Sequence, residues 1–421
     1  MLARFCAYGF LKNQRYFEPF IVLALLEKNL SFFQVGTLFA FRELMVNFAE
    51  IPSGSIADIY GRRRSMIVSF VAYILSFLVF AVSVRYSAFF IAMLFYAIGD
   101  AFRTGTHKAM IFSWLRSQGK ENERLRYYGL TRSWSKLGSA LSAIISGFFV
   151  FYFKEYTAIF YFSCIPYIVS IINIASYPAE LDGSTDNFKS VRQLFLHTKD
   201  GLAMSLKSKY LRHLIFESMG FEGVFNSMKD YLQPVLQTLA AGVLIHFAFA
   251  NELTSAQKSV IFVVPTYTVL FIMSAVVSRN AQKIIQFLGE EYQAAFKCWG
   301  LFAAISLIIT MAGFYRSLAL VAIAFILLFM LQNLWRPFLV SRFDSHSTEA
   351  HGATILSIES QSRRVATVVL APILGFMVDY VRENQLIGEY GLVGFIGILS
   401  AVLFLYFNHL FLNRLNNGIQ N

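Results

Sequence analysis

Gly54-Ser55-Ile56-Ala57-Asp58-Ile59-Tyr60-Gly61-Arg62-Arg63-Arg64 joins two apolar stretches, 34–57 and 65–84, and the second is free of Asp, Glu, Lys and Arg. Each stretch reaches the roughly 20 residues that a helix needs to cross a bilayer. The connection carries glycines at both ends, one acid and three consecutive arginines. Such a short basic turn between two long apolar segments predicts a helical hairpin in lipid, with its loop on the side where Lys and Arg collect.

The rest of the chain agrees. Its 421 residues are 57% hydrophobic and 14% charged, with 45 Phe and 21 Tyr, and the mean hydropathy is +0.55. A soluble domain carries roughly a quarter charged residues, and one of this size could not bury so much apolar surface. The composition excludes a disordered chain, a disulfide scaffold and a nucleic-acid-binding domain, and predicts an all-α polytopic membrane protein. The net charge of +11 is read as the bias of basic residues toward cytoplasmic loops. Cys6, Cys164 and Cys298 stand far apart in apolar segments and read as small core residues. Lys12, Arg15 and Glu18 interrupt the first apolar run, which therefore lacks the shape of a signal peptide.

Charge-free runs occur at 65–84, 137–153, 156–179, 231–251, 259–278, 298–315, 317–335 and 390–413. Five further helix-length segments carry charges: 4–27, 34–57, 86–112, 208–233 and 351–380. Run 231–251 overlaps the preceding segment and is taken as its exit plus an external loop, leaving twelve helices. With both termini cytoplasmic, the inner loops collect Arg62, Arg63 and Arg64, the basic residues of 116–136 and 189–212, and Arg279, Lys283, Lys297, Arg336 and Arg342. The outer loops keep only Lys28, Arg85, Lys154, Lys258, Arg316 and Arg382. The expected location is a plasma membrane of the bacterial inner-membrane kind.

The expected organisation is a six-helix bundle over 1–177, a cytoplasmic linker over 178–207 and a second six-helix bundle over 208–421. In the linker, Val191, Leu194, Phe195, Leu202 and Leu206 alternate with Lys189, Arg192, Lys199 and Lys207, the pattern of an amphipathic helix on the membrane surface. The halves echo each other. Tyr16-Phe17-Glu18-Pro19 finds a counterpart in Tyr231-Leu232-Gln233-Pro234. Gly147-Phe148-x-Val150-x-Tyr152 returns as Gly375-Phe376-x-Val378-x-Tyr380, and the same offset sets Lys108 against Arg336 and Lys136 against Arg364. Two related bundles around a central site are a common plan of secondary transporters.

The loop at 54–64 resembles the signature of the major facilitator superfamily, G-x-x-x-D-x-x-G-R-[RK]-x, and it falls between the second and third helices as in that family. The resemblance implies the twelve-helix fold with two pseudo-symmetric bundles, and a conformational latch made of Gly54, Asp58, Gly61, Arg62 and Arg63. Asp58 and Arg62 would act against the start of the eleventh helix. Gly54 would permit close helix contact and Gly61 would turn the chain. Many relatives keep an acid at the inner end of helix 4, whereas this chain has His107, Lys108 and Arg116 there. In the corresponding loop of the second half, Ser278 stands where the acid would align.

Charges within the membrane are costly and mark a wet or protein-lined interior. They concentrate in helices 1, 2, 4, 7 and 11. Glu18, Glu43, Glu50, Asp100, Glu222, Asp230 and Glu359 are the candidates for proton coupling, because an acid that changes neighbours between two states can load and release a proton. Asn13, Arg42, Asn47, Arg103, Asn226, Gln332, Asn333 and Arg363 are the candidates for substrate contact. Arg42 with Glu43 and Asp100 with Arg103 could equally be structural pairs. The Asp344–His351 stretch holds Asp, His and Glu, but nothing orients them, and it reads as a solvated loop with no metal. No cofactor and no enzymatic motif is found. The sequon at Asn29 lies hard against the membrane and is given no weight.

The sequence therefore predicts a monomeric secondary transporter moving a small polar or charged solute by alternating access and coupled to protons. Its partners would be the solute, protons and the bilayer, with no nucleic acid. Import and export stay open. A multidrug-type proton antiporter exporting lipophilic compounds is the alternative. A receptor or scaffold without transport is disfavoured by the short cytoplasmic segments and by interior charges that would then serve no purpose.

Overall fold

The computed structural model describes residues 1–104, 106–182, 208–345, 352–384 and 388–418. Helices follow the twelve expected segments, and no strand occurs among the described residues. The first segment is α1 (Leu2–Leu11) and α2 (Ile21–Glu27). Then come α3 (Phe32–Tyr60), α4 (Arg62–Val82), α5 (Tyr86–Arg103) with α6 (Thr106–Ser117), α7 (Arg124–Phe153) and α8 (Ala158–Ala175). The seventh segment holds α9 (Lys209–Ser218), α10 (Val224–Met228) and α11 (Leu232–Leu244). The remainder is α12 (Ser255–Leu288), α13 (Glu291–Phe314), α14 (Leu318–Ser345), α15 (Gly352–Glu383) and α16 (Gly391–Gly418).

Eight of these, counting α5 and α6 as one, are long and apolar enough to cross a membrane by length and composition, and Leu2–Leu11 and Gly391–Phe407 are shorter apolar helices. α3 has the length, but Arg42, Glu43 and Asn47 dilute its apolar run. Prolines inside α3, α8, α12, α14 and α15 are the kind that membrane helices tolerate when neighbours re-satisfy the freed carbonyl.

Several sequence expectations are corrected. Residues 232–244 are helix, not external loop; Pro234 falls in the first turn of α11, where its missing N–H costs nothing. The first segment is interrupted between Leu11 and Ile21. There Asn13 Nδ2 turns back to the Gly9 carbonyl at 2.8 Å, and buried Gln14 reaches the Gly138 carbonyl at 3.1 Å. Basic residues assigned to inner loops lie within helices instead: Arg124, Arg126, Arg132 and Lys136 in α7, Arg279 and Lys283 in α12, Lys297 in α13, Arg336 and Arg342 in α14. Helices outrun the apolar runs that announce them, because helix formation needs only backbone pairing and tolerates Lys and Arg well. The amphipathic pattern at 189–207 and the stretch 346–351 lie outside the described residues.

The chain forms two compact units. One comprises Met1–Leu30, Leu38–Lys199 and Ala240–Ile272; the other comprises Ser31–Thr37, Asp200–Leu239 and Met273–Asn421. In the first unit an aromatic core stacks Phe80 on Phe89 and Phe160, and Tyr73 meets Tyr96 and Tyr167. α1 and α7 approach at glycines: a Cβ on Gly9 would lie 2.5 Å from the Thr131 carbonyl oxygen, and one on Gly138 would lie 2.5 Å from that of Phe10. Small residues let membrane helices close in where hydrophobic exclusion supplies no drive.

In the second unit Phe221, Trp299, Phe302 and Trp335 form the core. Gly394 and Gly397 of α16 sit against Ser306 of α13. At the start of α3, Asp379 accepts the Phe32 and Phe33 amides at 3.0 and 2.7 Å. A carboxylate there answers orphan N–H groups and the positive end of the helix dipole together.

Gly138→Leu is expected to force α1 from α7 and destabilise the first unit by about 1–3 kcal/mol, read as a lower melting temperature in detergent. Gly300→Ala, where a Cβ meets nothing within 4 Å, should leave it unchanged.

Candidate functional site

The interior charges of each unit meet partners, and the partners define the chemistry. In the first unit Arg42 holds Glu43 through Nη2 at 2.7 Å and Nε at 3.2 Å. Its guanidinium lies over the rings of Phe39 and Tyr96 at 5.1 and 5.7 Å, so π faces replace part of its hydration. Asp100 accepts from Arg103 Nη2 at 2.9 Å and from the Tyr73 hydroxyl, and Arg103 Nε donates to the same hydroxyl at 3.1 Å. The i,i+3 spacing on α5 brings Asp100 and Arg103 onto one face, and α4 supplies Tyr73. Arg15 and Glu18 lie 3.9 Å apart in the break before α2.

The second unit is asymmetric. Glu359 on α15 is fully buried; Arg336 Nη1 and Nη2 grip its two oxygens at 2.6 and 2.9 Å, Ser218 donates to Oε1, and Arg363 Nε lies 3.7 Å away. Glu222, 1% exposed, has an amide as partner: Gln332 Nε2 donates at 3.2 and 3.4 Å. Glu222 sits in a π-helical turn, Met219–Gly223, that interrupts the seventh segment. Such insertions accompany functional sites, and Gly223 allows the turn to lie against α15, where a Cβ would meet Ala366 at 2.5 Å. Asn333 donates to Ser274 Oγ at 3.0 Å and receives the Ser278 hydroxyl, so the serine in the acid's alignment position binds α14.

Of the residues singled out in the sequence, Arg42 and Glu43, Asp100 and Arg103, Glu222 and Gln332, and Glu359 and Arg363 come together within their units. Asn47 and Glu50 share a face of α3, Asn226 lies on α10, and Asp230 falls in the 3-10 turn Lys229–Tyr231. Asn13 closes its own helix end. A Cβ on Gly54 would meet nothing within 4 Å among the described residues. Gly61 has φ +96°, a conformation costly for any side chain, and a Cβ there would run into Asp182 at 2.9 Å. Asp182 accepts the Arg63 amide at 2.8 Å and its guanidinium lies 3.4 Å away; Arg63 also donates to the Tyr177 carbonyl at 2.8 Å. The side chain of Asp58 lies outside the described residues.

Sequence reading passed over Tyr73, Ser218, Glu217 and Asp182, and placed Arg336 and Arg342 in loops. Tyr73 and Ser218 are unremarkable in apolar segments and left no signal. Glu217 left one: it is an acid in the same helix-length segment, 208–233, as Glu222 and Asp230. It is fully buried, takes Arg342 at 2.8 Å and Trp299 Nε1 at 3.1 Å, and Arg342 spans on to Glu291 at 3.0 Å. Tyr210 donates to the same Glu291 oxygen at 2.5 Å. α14 is therefore a charged interior helix as well, besides the five read from the sequence.

A family model described as the Major Facilitator Superfamily matches residues 1–369. The chain belongs to that superfamily. It is accordingly a multi-pass membrane protein of a transporter family. Within the superfamily it is 20% identical over 367 residues to YxaM of Bacillus subtilis (strain 168), an uncharacterized MFS-type transporter, covering 86% of this chain and 84% of that protein. Solved transporter structures share the fold. A mutant of the nucleoside transporter NupG gives a TM-score of 0.77 at 12% identity, covering 97% of this chain and 99% of that one. A POT family transporter in complex with 5-aminolevulinic acid gives 0.65 at 13%, covering 97% and 94%. At these identities the likeness concerns the fold.

Arg342→Met is expected to destabilise the second unit by about 3–5 kcal/mol, because it leaves Glu217 buried without its cation. Adding Glu217→Gln should recover much of that loss, checked by thermal melting of the two variants side by side.

Proposed function

We propose that the protein is a secondary transporter that moves a small, polar or charged solute by alternating access and couples it to protons. The observation that carries the coupling is Glu222. Among the described residues no cation forms an ion pair with it; an amide holds it, and Arg336, Arg363 and Glu359 lie within electrostatic reach. Glu359, by contrast, is committed to two arginines. A buried acid held by an amide alone can gain or lose a proton without breaking an ion pair. Once charged, it competes with Glu359 for the arginines they share, so proton loading and the grouping of α14 and α15 side chains become linked.

The same proposal carries bundles over 1–177 and 208–421, a cytoplasmic linker over 178–207, both termini cytoplasmic, and a monomer in a plasma membrane. By its resemblance to the family signature the loop is assigned as the latch, with Arg63 held by Asp182. The remaining interior acids and amides named above surround the solute or hold helices in register.

Two substitutions test this reading in proteoliposomes that carry an internal pH dye. Glu222→Gln should abolish solute-driven proton movement while solute exchange between the two sides continues, and proton movement at the unsubstituted rate would remove Glu222 from the coupling. Asp58→Asn should slow transport in both directions without lowering the melting temperature.

A further inference from the structure

The polar groups around Glu222 stand in two tiers on three packed segments. In the first tier Glu359 of α15 takes Arg336 of α14 on both oxygens, at 2.6 and 2.9 Å, and the hydroxyl of Ser218 at the end of α9. One turn away, each segment carries a second polar residue: Gln332 on α14, Arg363 on α15 and Glu222 in the π-helical turn. In this second tier Gln332 holds Glu222 at 3.2 Å. Arg363 joins it because its backbone lies against the same turn. A Cβ on Gly223 would stand 3.2 Å from the Arg363 carbonyl oxygen, and Thr367 Oγ1 donates to the Gly223 carbonyl at 3.5 Å.

Arg363 is poorly matched there. Its Nε lies 3.7 Å from Glu359 Oε1 and is buried with no hydrogen-bond partner among the described residues, and Nη2 donates to Ser360 on its own helix at 3.4 Å. The side chain keeps 22% of its surface exposed while Glu359 keeps none, so a visitor can touch the guanidinium without displacing the acid. Glu359 does not need this second arginine, since Arg336 and Ser218 already supply its donors. A neutral side chain at 363 would leave the acid satisfied and would avoid burying donors without acceptors. An oxyanion offsets that cost, because a guanidinium fork matches a carboxylate, phosphate or sulfate.

Charge balance sets what must bind with the anion. Arg336 and Arg363 balance Glu222 and Glu359. The other groups at the turn are otherwise engaged: Glu217 takes Arg342 at 2.8 Å, α16 presents Ser400, which donates to the Gly220 carbonyl at 2.8 Å, and α13 presents Trp299. Arg364, the next residue of α15, lies about 100° round the helix from Arg363. A bound anion therefore leaves one negative charge in excess where little water screens it. We infer that Arg363 receives the carboxylate, phosphate or sulfate group of the solute and that Glu222 takes up a proton from solution with it. The solute is then an anion carried together with a proton. The inference rests on the reading of Glu222 as the coupling acid and names the substrate class of that site. An anionic lipid headgroup offers the same chemistry, which one arm of the test separates.

The purified full chain in neutral detergent, with and without phosphatidylglycerol in the micelles, is titrated calorimetrically with lactate, succinate, sulfate, glucose and tetraphenylphosphonium. Two buffers of different ionisation enthalpy make the heat count protons. At least one of the three anions should bind saturably, take up about one proton per site and bind more weakly as pH rises. Arg363→Gln should lower that affinity about tenfold or more, and Arg363→Lys should keep part of it. Glu222→Gln should bind the anion without proton uptake and with an affinity indifferent to pH. Lys120→Gln, at an exposed position, should behave as the unsubstituted chain. Should Arg363→Gln fail to fold, the proton count and Glu222→Gln carry the test.

Failure of all three anions to bind, binding indifferent to Arg363→Gln, or undiminished proton uptake in Glu222→Gln would overturn the inference. So would a response confined to phosphatidylglycerol, which would make this a lipid-headgroup site. Anion binding with proton uptake, but without solute entry into proteoliposomes, would leave the site standing and sink the transporter reading. Glucose or tetraphenylphosphonium driving proton movement through Glu222, without anion binding, would do the reverse.

Discussion

A charge removed from water into a helix interior must meet an opposite charge, a hydrogen-bond donor or a solute, and the placement of side chains in both units follows from that constraint. Glu359 meets it with two arginines and a serine. Glu217 meets it with Arg342 and an indole N–H. Asp100 meets it with Arg103 and a tyrosine hydroxyl that serves both. These groups are satisfied and therefore suited to holding helices in register. Glu222, held by an amide alone, meets the constraint least completely, and it is there that a proton has something to contribute.

Departures from regular helix put these groups where they are. The interruption between α1 and α2 holds Lys12, Gln14, Arg15 and Glu18, and buries Gln14 against the Gly138 carbonyl. The π-helical turn at Met219–Gly223 shifts the face presented by the seventh segment and sets Glu222 against Gln332. Glycines make the surrounding approaches feasible: Gly138 beside the first break and Gly223 in the second each meet neighbouring atoms at 2.5 Å from where a Cβ would stand. Sites built on breaks keep freed carbonyls near polar side chains, which is how irregular backbone is accommodated at membrane depth.

Much of this was legible in the residues, and the failures share a cause. Helix number and type followed from apolar runs, because the bilayer's thickness fixes how long each run must be. The signature loop was readable because its glycine and arginines are separated by fixed numbers of residues along one chain. Helix ends were misjudged wherever a helix outran its apolar run, as at Arg124 and at Arg342. The same error placed Arg336 in a loop, and so hid the partner of Glu359. A partner on another helix has no fixed sequence distance from its mate: Asp182 lies 119 residues from Arg63, and Ser218 lies 141 from Glu359.

The sequence by itself determined that this chain is all-α, spans a membrane many times, and hides acids, amides and arginines in particular helices, since composition and hydropathy are properties of segments. Tertiary structure alone decided which of those charges are neutralised and which are left over. Pairing is a matter of a few ångströms between helices packed side by side. Whether Glu222 meets an arginine or an amide depends on the register of that packing.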